Sequence, residues 1–183
     1  MFDAQEDEYL TQIVYKTKKF NTSAHYQIYK SPEDGKPDSG TLLEEGDNVH
    51  EYAGFHKIDL KSVYDLKKGE KYSIVLTMTY TPEGGSVTYT NVIPYATNAI
   101  PYGISPDSQV IAKGVINKGE SYMFNDGKWT DLTDKRAEFS EKALEDDNTR
   151  GVPENFKAMS IDRITIDNFP IKAILVPESE YRN

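Results

Sequence analysis

One stretch of regular alternation constrains the fold more than any other feature of this 183-residue chain. Over Lys71–Thr81, apolar side chains occupy every second position, which is the period of a β-strand with one buried face. Pro82–Gly85 has the composition of a tight turn, and a second alternating segment follows at Ser86–Ile93. The pattern predicts two antiparallel strands joined as a hairpin.

Similar but shorter signals recur along the chain, and Asn125-Asp126-Gly127 is a strong tight-turn signal between two of them. The segments that predict further strands are Tyr9–Lys16, Ala24–Lys30, Gly54–Leu60, Glu120–Phe124, Lys128–Leu132, Ser160–Asp167 and Phe169–Val176. Composition agrees, because Val, Ile, Tyr and Thr total 51 residues whereas Leu and Ala total only 19. β-branched and aromatic side chains suit a pleated sheet, and good helix formers are scarce.

The one convincing helical pattern covers Thr133–Asn148, with a weak apolar stripe among charges. We interpret it as part of an insertion, residues 133–167, within a single domain that spans residues 1–183. Short strands without alternating helices favour two packed antiparallel sheets. The sequence therefore predicts an all-β fold, a two-sheet antiparallel β-sandwich of jelly-roll-like type with one short inserted helix.

Charge and composition exclude several classes of function. The formal net charge of −9 disfavours nucleic acid as a partner, and the absence of cysteine excludes disulfides, thiolate nucleophiles and cysteine-ligated metals. No run of about 18 apolar residues exists, so we expect no membrane insertion. The acidic start Met1–Glu8 has no apolar segment of a signal peptide. Either the protein is cytosolic or it is a piece of a longer exported chain. We favour the second alternative, in which the full-length chain carries the signal peptide.

Catalytic patterns are weak. Gly103-Ile104-Ser105-Pro106 begins like a nucleophile motif and lacks its second glycine. The chain has three histidines, His25, His50 and His56; His25 and His56 fall on predicted strands, where a half-buried or solvent-facing histidine is ordinary. Acidic pairs such as Glu44-Glu45 suggest solvated surface. The sequence therefore predicts that the protein is not an enzyme.

Exposed Tyr and Trp rings offer a different chemistry, because such rings can stack on the apolar faces of sugars. The rings outside the predicted core are Tyr52, Tyr95, Tyr102 and Trp129. For each ring the alternative is packing against a loop or a sheet edge. The residues that we predict to form a carbohydrate site are Asn91, Tyr95, Tyr102, Asp126 and Trp129.

We predict no cofactor, although one turn region is rich in oxygen ligands. Asn125, Asp126, Asp131 and Asp134 lie close together in sequence and could hold a structural calcium ion. The spacing does not match an EF-hand, and a tight turn explains Asn-Asp-Gly without any metal.

Several segments in order resemble one known family. Glu51–Leu60, with its Tyr-x-Gly-aromatic-His pattern, leads through Leu66-Lys67-Lys68-Gly69-Glu70 into the apolar strand ending at Leu76. Three other parts agree: Tyr26–Lys30 followed by Gly40–Leu43, Gly119–Leu132 with its Asp-Gly and Trp-x-Asp pairs, and Asn168–Ala173. Together they resemble the lectin-like domain found beside papain-type cysteine peptidase domains in Gram-positive cell-surface proteins. The segment 133–167 is longer than that family leads us to expect.

The resemblance implies a non-catalytic accessory module of an exported protein at the cell surface, next to peptidase or other surface domains. Carbohydrate or cell-wall glycan is the partner that the label suggests, although a shared fold does not establish a ligand. The alternative is a structural or protein-interaction module, an adhesin or Ig-like spacer without a small-molecule ligand.

Overall fold

The computed structural model describes residues 1–90, 116–135 and 168–181, with isolated positions between 137 and 151. Contacts divide the chain into two compact units, Met1–Pro94 with Phe169–Asn183, and Tyr95–Asn168. The described residues form mainly antiparallel strands, which confirms the all-β prediction. A single domain over residues 1–183 with an insertion at 133–167 stays a prediction.

The first unit contains two sheets. Its strands are β1 (Phe2–Asp3), β2 (Glu8–Thr17), β3 (Thr22–Lys30), β4 (Thr41–His50), β5 (Gly54–Leu66), β6 (Lys71–Tyr80), β7 (Tyr89–Thr90) and β10 (Ile171–Pro177). The two remaining strands, β8 (Tyr122–Asn125) and β9 (Lys128–Asp131), belong to the second unit. One sheet has the order β4-β3-β6, with β1 and β7 pairing β6, and the other has the order β10-β2-β5. All pairs are antiparallel, as expected for a sandwich.

The core of the first unit lies between these sheets. Alternating residues of β2, β3 and β6 point inward, and the fully or nearly fully buried side chains from both sheets form one cluster: Leu10, Ile13, Tyr15, Ala24, Tyr26, Ile28, Leu66, Tyr72, Ile74, Leu76 and Met78. Tyrosines thus provide much of the bulk that leucine provides in other cores. The alternation over Lys71–Thr81 is therefore correctly interpreted as a strand with one buried face.

The second unit contains the β8–β9 hairpin. Asp126 and Gly127 both have positive φ, at 50° and 76°, as a tight turn at Asn-Asp-Gly requires. A 3-10 helix, Leu132–Lys135, follows the hairpin, and the described positions Ala137, Glu138, Glu141 and Glu145 are helical, which agrees with the helix predicted at 133–148. The strand predicted at Ser160–Asp167 lies outside the described residues.

Three elements of the first unit differ from the sequence prediction. The resemblance indicated an early hairpin from Tyr26–Lys30 to Gly40–Leu43, and its second strand, β4, continues beyond Leu43 to His50; β5 extends six residues beyond Leu60. A short α-helix, Glu178–Tyr181, was not predicted. In the described parts of the chain, no helix has the length and apolar character needed to cross a membrane.

Candidate functional site

Two turns meet at one end of the first unit and carry exposed rings. The β2–β3 turn contains Phe20, and the connection from β4 to β5 contains Tyr52. The turns are held together because the amide of Asn21 donates to the carbonyl of Glu51 at 3.1 Å. Asn21 adopts a φ of 51°, a left-handed conformation that asparagine tolerates and that reverses the chain into β3.

Five aromatic residues lie at this end of the unit, and we call them the aromatic end: Phe20, Tyr52, Phe55, Tyr80 and Tyr89. The Phe20 and Tyr52 side chains are 62% and 64% exposed, and their rings meet edge to face with centroids 6.2 Å apart. Tyr80 and Tyr89 stack with centroids 6.3 Å apart. Single exposed apolar residues are common on proteins, but a group at one end of a sandwich is characteristic of a binding surface.

Two lysines lie over rings of the aromatic end. The Lys16 ammonium is 5.4 Å from the centroid of Phe55, its partner across the β2–β5 register. The Lys19 ammonium is 5.7 Å from the centroid of Tyr80. Exposed cation–π contacts of this kind contribute about 0.5–1 kcal/mol each. They favour these positions of the two lysine side chains but are too weak to immobilise them.

A stacked pair of histidines, His50 of β4 and His56 of β5, lies on the inward side of these two strands. The rings of His50 and His56 are 3.6 Å apart and inclined by 17°. The Tyr15 hydroxyl is 2.9 Å from Nε2 of His50, and the Thr17 hydroxyl is 2.9 Å from Nε2 of His56. Each histidine therefore has a hydroxyl partner on β2, and the half-buried position of His56 on a strand is one of the two that the sequence led us to expect.

The histidine pair is held neutral. Burial lowers the pKa of His50, and the neighbouring His56 lowers it further. Burial also lowers the pKa of His56, against the opposing effect of the Tyr52 carbonyl. Burial raises the pKa of Tyr15 to about 12. Close rings that would repel each other when charged thus remain uncharged near neutral pH.

The sequence interpretation of Glu44 as solvated surface is wrong, because Glu44 is only 6% exposed. Its carboxylate accepts hydrogen bonds from the hydroxyls of Tyr26 and Tyr64 at 2.7 and 2.9 Å, and from the amide of Lys61 at 3.0 Å. Burial alone would raise the pKa of Glu44, but these hydrogen bonds outweigh it and lower the pKa. The group links both sheets, and we assign it to the structure of the sandwich.

Two of the predicted site residues lie on the β8–β9 hairpin. Asp126 is exposed at the turn, whereas Trp129 is partly buried, and its ring centroid is 5.1 Å from that of Phe124. The indole Nε1 of Trp129 is buried and has no hydrogen-bond partner among the residues that the structure describes. Asn91, Tyr95 and Tyr102 lie outside the described residues. The predicted carbohydrate site as a whole therefore stays a prediction.

Two of the carboxylates proposed for calcium, those of Asp131 and Asp126, accept hydrogen bonds from neighbouring groups. Asp131 is buried and accepts from the Gly119 amide at 2.6 Å and from the amide and hydroxyl of Thr133 at 2.9 and 2.6 Å. Burial opposes ionisation, but these bonds outweigh it and lower the pKa of Asp131. Asp126 accepts from the Asn125 side chain. Among the residues that the structure describes, no group of three or more His, Cys, Asp or Glu is placed to hold a metal ion.

Comparison with known proteins gives one finding. The family model for the lectin-like domain matches residues 1–144. The chain belongs to the lectin-like domain family. The match includes the aromatic end and the β8–β9 hairpin, and it ends inside the segment that we interpreted as an insertion. Neither the curated proteins nor the solved structures contain a match to this chain.

The aromatic end of this lectin-like domain was only partly foreseen from sequence. Tyr52 was identified as an exposed ring, but Phe20 and Phe55 were not. Phe55 lies on the same face of β5 as Lys57 and Asp59, and all three residues are exposed. Ile58 and Leu60 lie on the opposite face and pack against the core. This alternation along the strand was the available signal that Phe55 faces outward.

Proposed function

We propose that this lectin-like domain is a non-catalytic carbohydrate-binding module of an exported cell-surface protein. The observation that carries the proposal is the aromatic end, where Phe20 and Tyr52 expose rings that could stack on sugar faces. Membership of the lectin-like family supports the same class of function. The natural setting that we propose is a Gram-positive surface protein in which the module holds a neighbouring cysteine peptidase domain against the wall glycan.

The test is a glycan and cell-wall polysaccharide array probed with the 183-residue protein, once with calcium and once with a chelator. We expect selective binding that Tyr52→Ala weakens about two- to tenfold, because an aromatic stacking contact contributes about 0.5–1.5 kcal/mol. Tyr181→Ala is the matched control, since Tyr181 is also exposed but packs on Tyr9 at the opposite end of β2. Loss of binding in the presence of the chelator would support the calcium site predicted from sequence.

The same array separates the two candidate sites. If Trp129→Ala or Asp126→Ala abolishes binding while Tyr52→Ala does not, the hairpin residues predicted from sequence form the site. An array without any bound glycan, with and without calcium, would contradict carbohydrate binding altogether.

A structural or protein-interaction module remains the second candidate. The partial burial of Trp129, with its indole nitrogen shielded, favours a packing role for the one ring most typical of sugar sites. A large loss of stability in Trp129→Ala together with a blank array would support this candidate.

A further inference from the structure

Charge is distributed unevenly over the first unit. The chain has thirty acidic and twenty-one basic residues, yet lysine dominates around the aromatic end. The described charged residues of the first unit in these turns and within three residues of these strand ends are Lys16, Lys18, Lys19, Lys57, Lys172, Asp47, Glu51 and Glu83. Among these described residues, five positive charges against three negative ones make this end cationic on an anionic protein.

Most lysines at the other end of the first unit have a carboxylate partner, which the lysines at 16, 18, 19 and 57 lack among the described residues. Lys30 pairs with Glu70 at 3.0 Å, Lys67 with Asp65 at 2.9 Å, and Lys71 with Asp34. Lys16, Lys18, Lys19 and Lys57 are all exposed, and within the described residues none of them forms an ion pair. The chain is rich in acidic residues, yet these four lysines beside exposed rings are unpaired within the described residues. Ion pairing in the folded protein therefore does not account for their positions.

The region is also held in place before any ligand arrives. Thr22 donates its hydroxyl to the carbonyl of Lys19 at 2.8 Å, which closes the β2–β3 turn. The Asn21–Glu51 backbone bond joins that turn to the connection that carries Tyr52. A surface that is already ordered loses little entropy on binding.

From these observations we propose that the aromatic end binds an anionic polysaccharide, a glycan whose sugars carry carboxylate or phosphate groups. Phe20 and Tyr52 supply ring faces for the sugars, and the lysines at 16, 18 and 19 pair with the anionic groups. The inference rests on the proposed carbohydrate-binding function and adds to it the charge class of the ligand and the residues that recognise it.

The test compares polymers that differ only in charge. Binding to polygalacturonate is measured against its fully methyl-esterified form, and binding to phosphomannan against unphosphorylated mannan, so that carboxylate and phosphate are examined separately. We expect at least one charged polymer to bind about tenfold or more tightly than its neutral counterpart. We also expect its affinity to fall roughly tenfold or more between 20 and 200 mM NaCl, because ion pairing with three lysines is screened by salt.

Variants locate the site. Lys18→Gln/Lys19→Gln should weaken binding to the charged polymer at least about fivefold. Lys36→Gln/Lys68→Gln removes the same charge from exposed positions at the opposite end and should leave binding unchanged. Because all four side chains are exposed, urea unfolding of both variants should match that of the parent protein.

The outcomes distinguish this inference from the proposed function. Binding to neutral glycans with equal affinity would overturn the anionic inference and leave carbohydrate binding intact. Equal effects of the two lysine variants would overturn the assigned site. Equal binding of single-stranded DNA and the charged polymer would show a general polyanion surface and overturn glycan recognition. If no polymer and no arrayed glycan binds, both proposals are wrong.

Discussion

Removing the carboxylate of Glu44 should destabilise the first unit strongly. In Glu44→Ala the hydroxyls of Tyr26 and Tyr64 and the amide of Lys61 lose their common acceptor. Hydrogen bonds to a charged group contribute about 1.5–3 kcal/mol each. Tyr64 can still donate to the carbonyl of Leu43 at 3.1 Å, so the full sum does not apply. We expect a loss of about 3–5 kcal/mol in the free energy of unfolding, as when one partner of a buried charged network is removed.

Glu44→Gln should cost less, about 1–2 kcal/mol, because one acceptor oxygen remains while the new amide meets donors. Glu8→Gln is the matched control, since Glu8 is equally buried but its Oε1 has no hydrogen-bond partner within the described part of the chain, and its carboxylate has a backbone donor in the Gln5 amide. Burial raises the pKa of Glu8, so its ionisation destabilises the folded state as pH rises above about 4.5. Glu8→Gln should therefore leave stability at pH 7 unchanged or increase it.

The assay is urea unfolding followed by circular dichroism at pH 7 and pH 4. The pKa of Glu44 is lowered, so its contribution is present above about pH 4.5 and is lost as pH falls below that value. The cost of Glu44→Gln should accordingly shrink at pH 4. The only tryptophan lies in the second unit, so its fluorescence follows that unit separately. A loss below about 1 kcal/mol in Glu44→Ala, or equal effects of the two glutamine variants, would refute the reasoning.

Three further predictions concern stability. The lowered pKa values of His50 and His56 stabilise the folded protein above about pH 6.5, and this contribution should disappear as pH falls; a flat urea midpoint from pH 8 to 5 would contradict it. Gly46→Ala should cost about 1–3 kcal/mol, because its Cβ would lie 2.7 Å from the Tyr26 ring, and an unchanged melting temperature would show that the ring can move. Asp131→Ala should lower the free energy of unfolding, followed in urea by tryptophan fluorescence, by about 2–3 kcal/mol, whereas a rise of the parent protein's urea midpoint on adding calcium would contradict a hydrogen-bonding role alone.

The strands were predictable where one face is apolar and the other polar. β6 shows this alternation clearly, and β2 and β3 were located to within two residues at each end. β4 was largely missed because its Glu44-Glu45-Gly46-Asp47-Asn48 stretch has the composition of a solvated loop. The burial of Glu44 depends on hydrogen bonds from Tyr26 and Tyr64, which are 18 and 20 residues away in sequence. Neither the hydrophobic period nor the composition of a segment indicates partners that are so distant in sequence.

The candidate site was harder to predict than the fold for a related reason. A histidine and a phenylalanine alternate at the start of β5, and residue type alone would place the ring inside and the imidazole outside. The structure has the reverse, since Phe55 is 60% exposed while His56 stacks on His50 inside. The arrangement is possible because Tyr15 and Thr17 supply partners for the two imidazoles. Exposed rings therefore have to be located from contacts between strands.

The exposure of Phe20, Tyr52 and Phe55 has a cost that folding does not require. Burying a ring of this size would stabilise the sandwich by about 1.5–3 kcal/mol, and leaving three of them in water forgoes that gain. Polar residues at the same positions would fold equally well and would be more soluble. Substitutions at this end should therefore change binding while leaving unfolding almost unchanged, whereas substitutions at Glu44 or Tyr15 should do the opposite. This separation makes the aromatic end the part of the molecule where function can be measured independently of the fold.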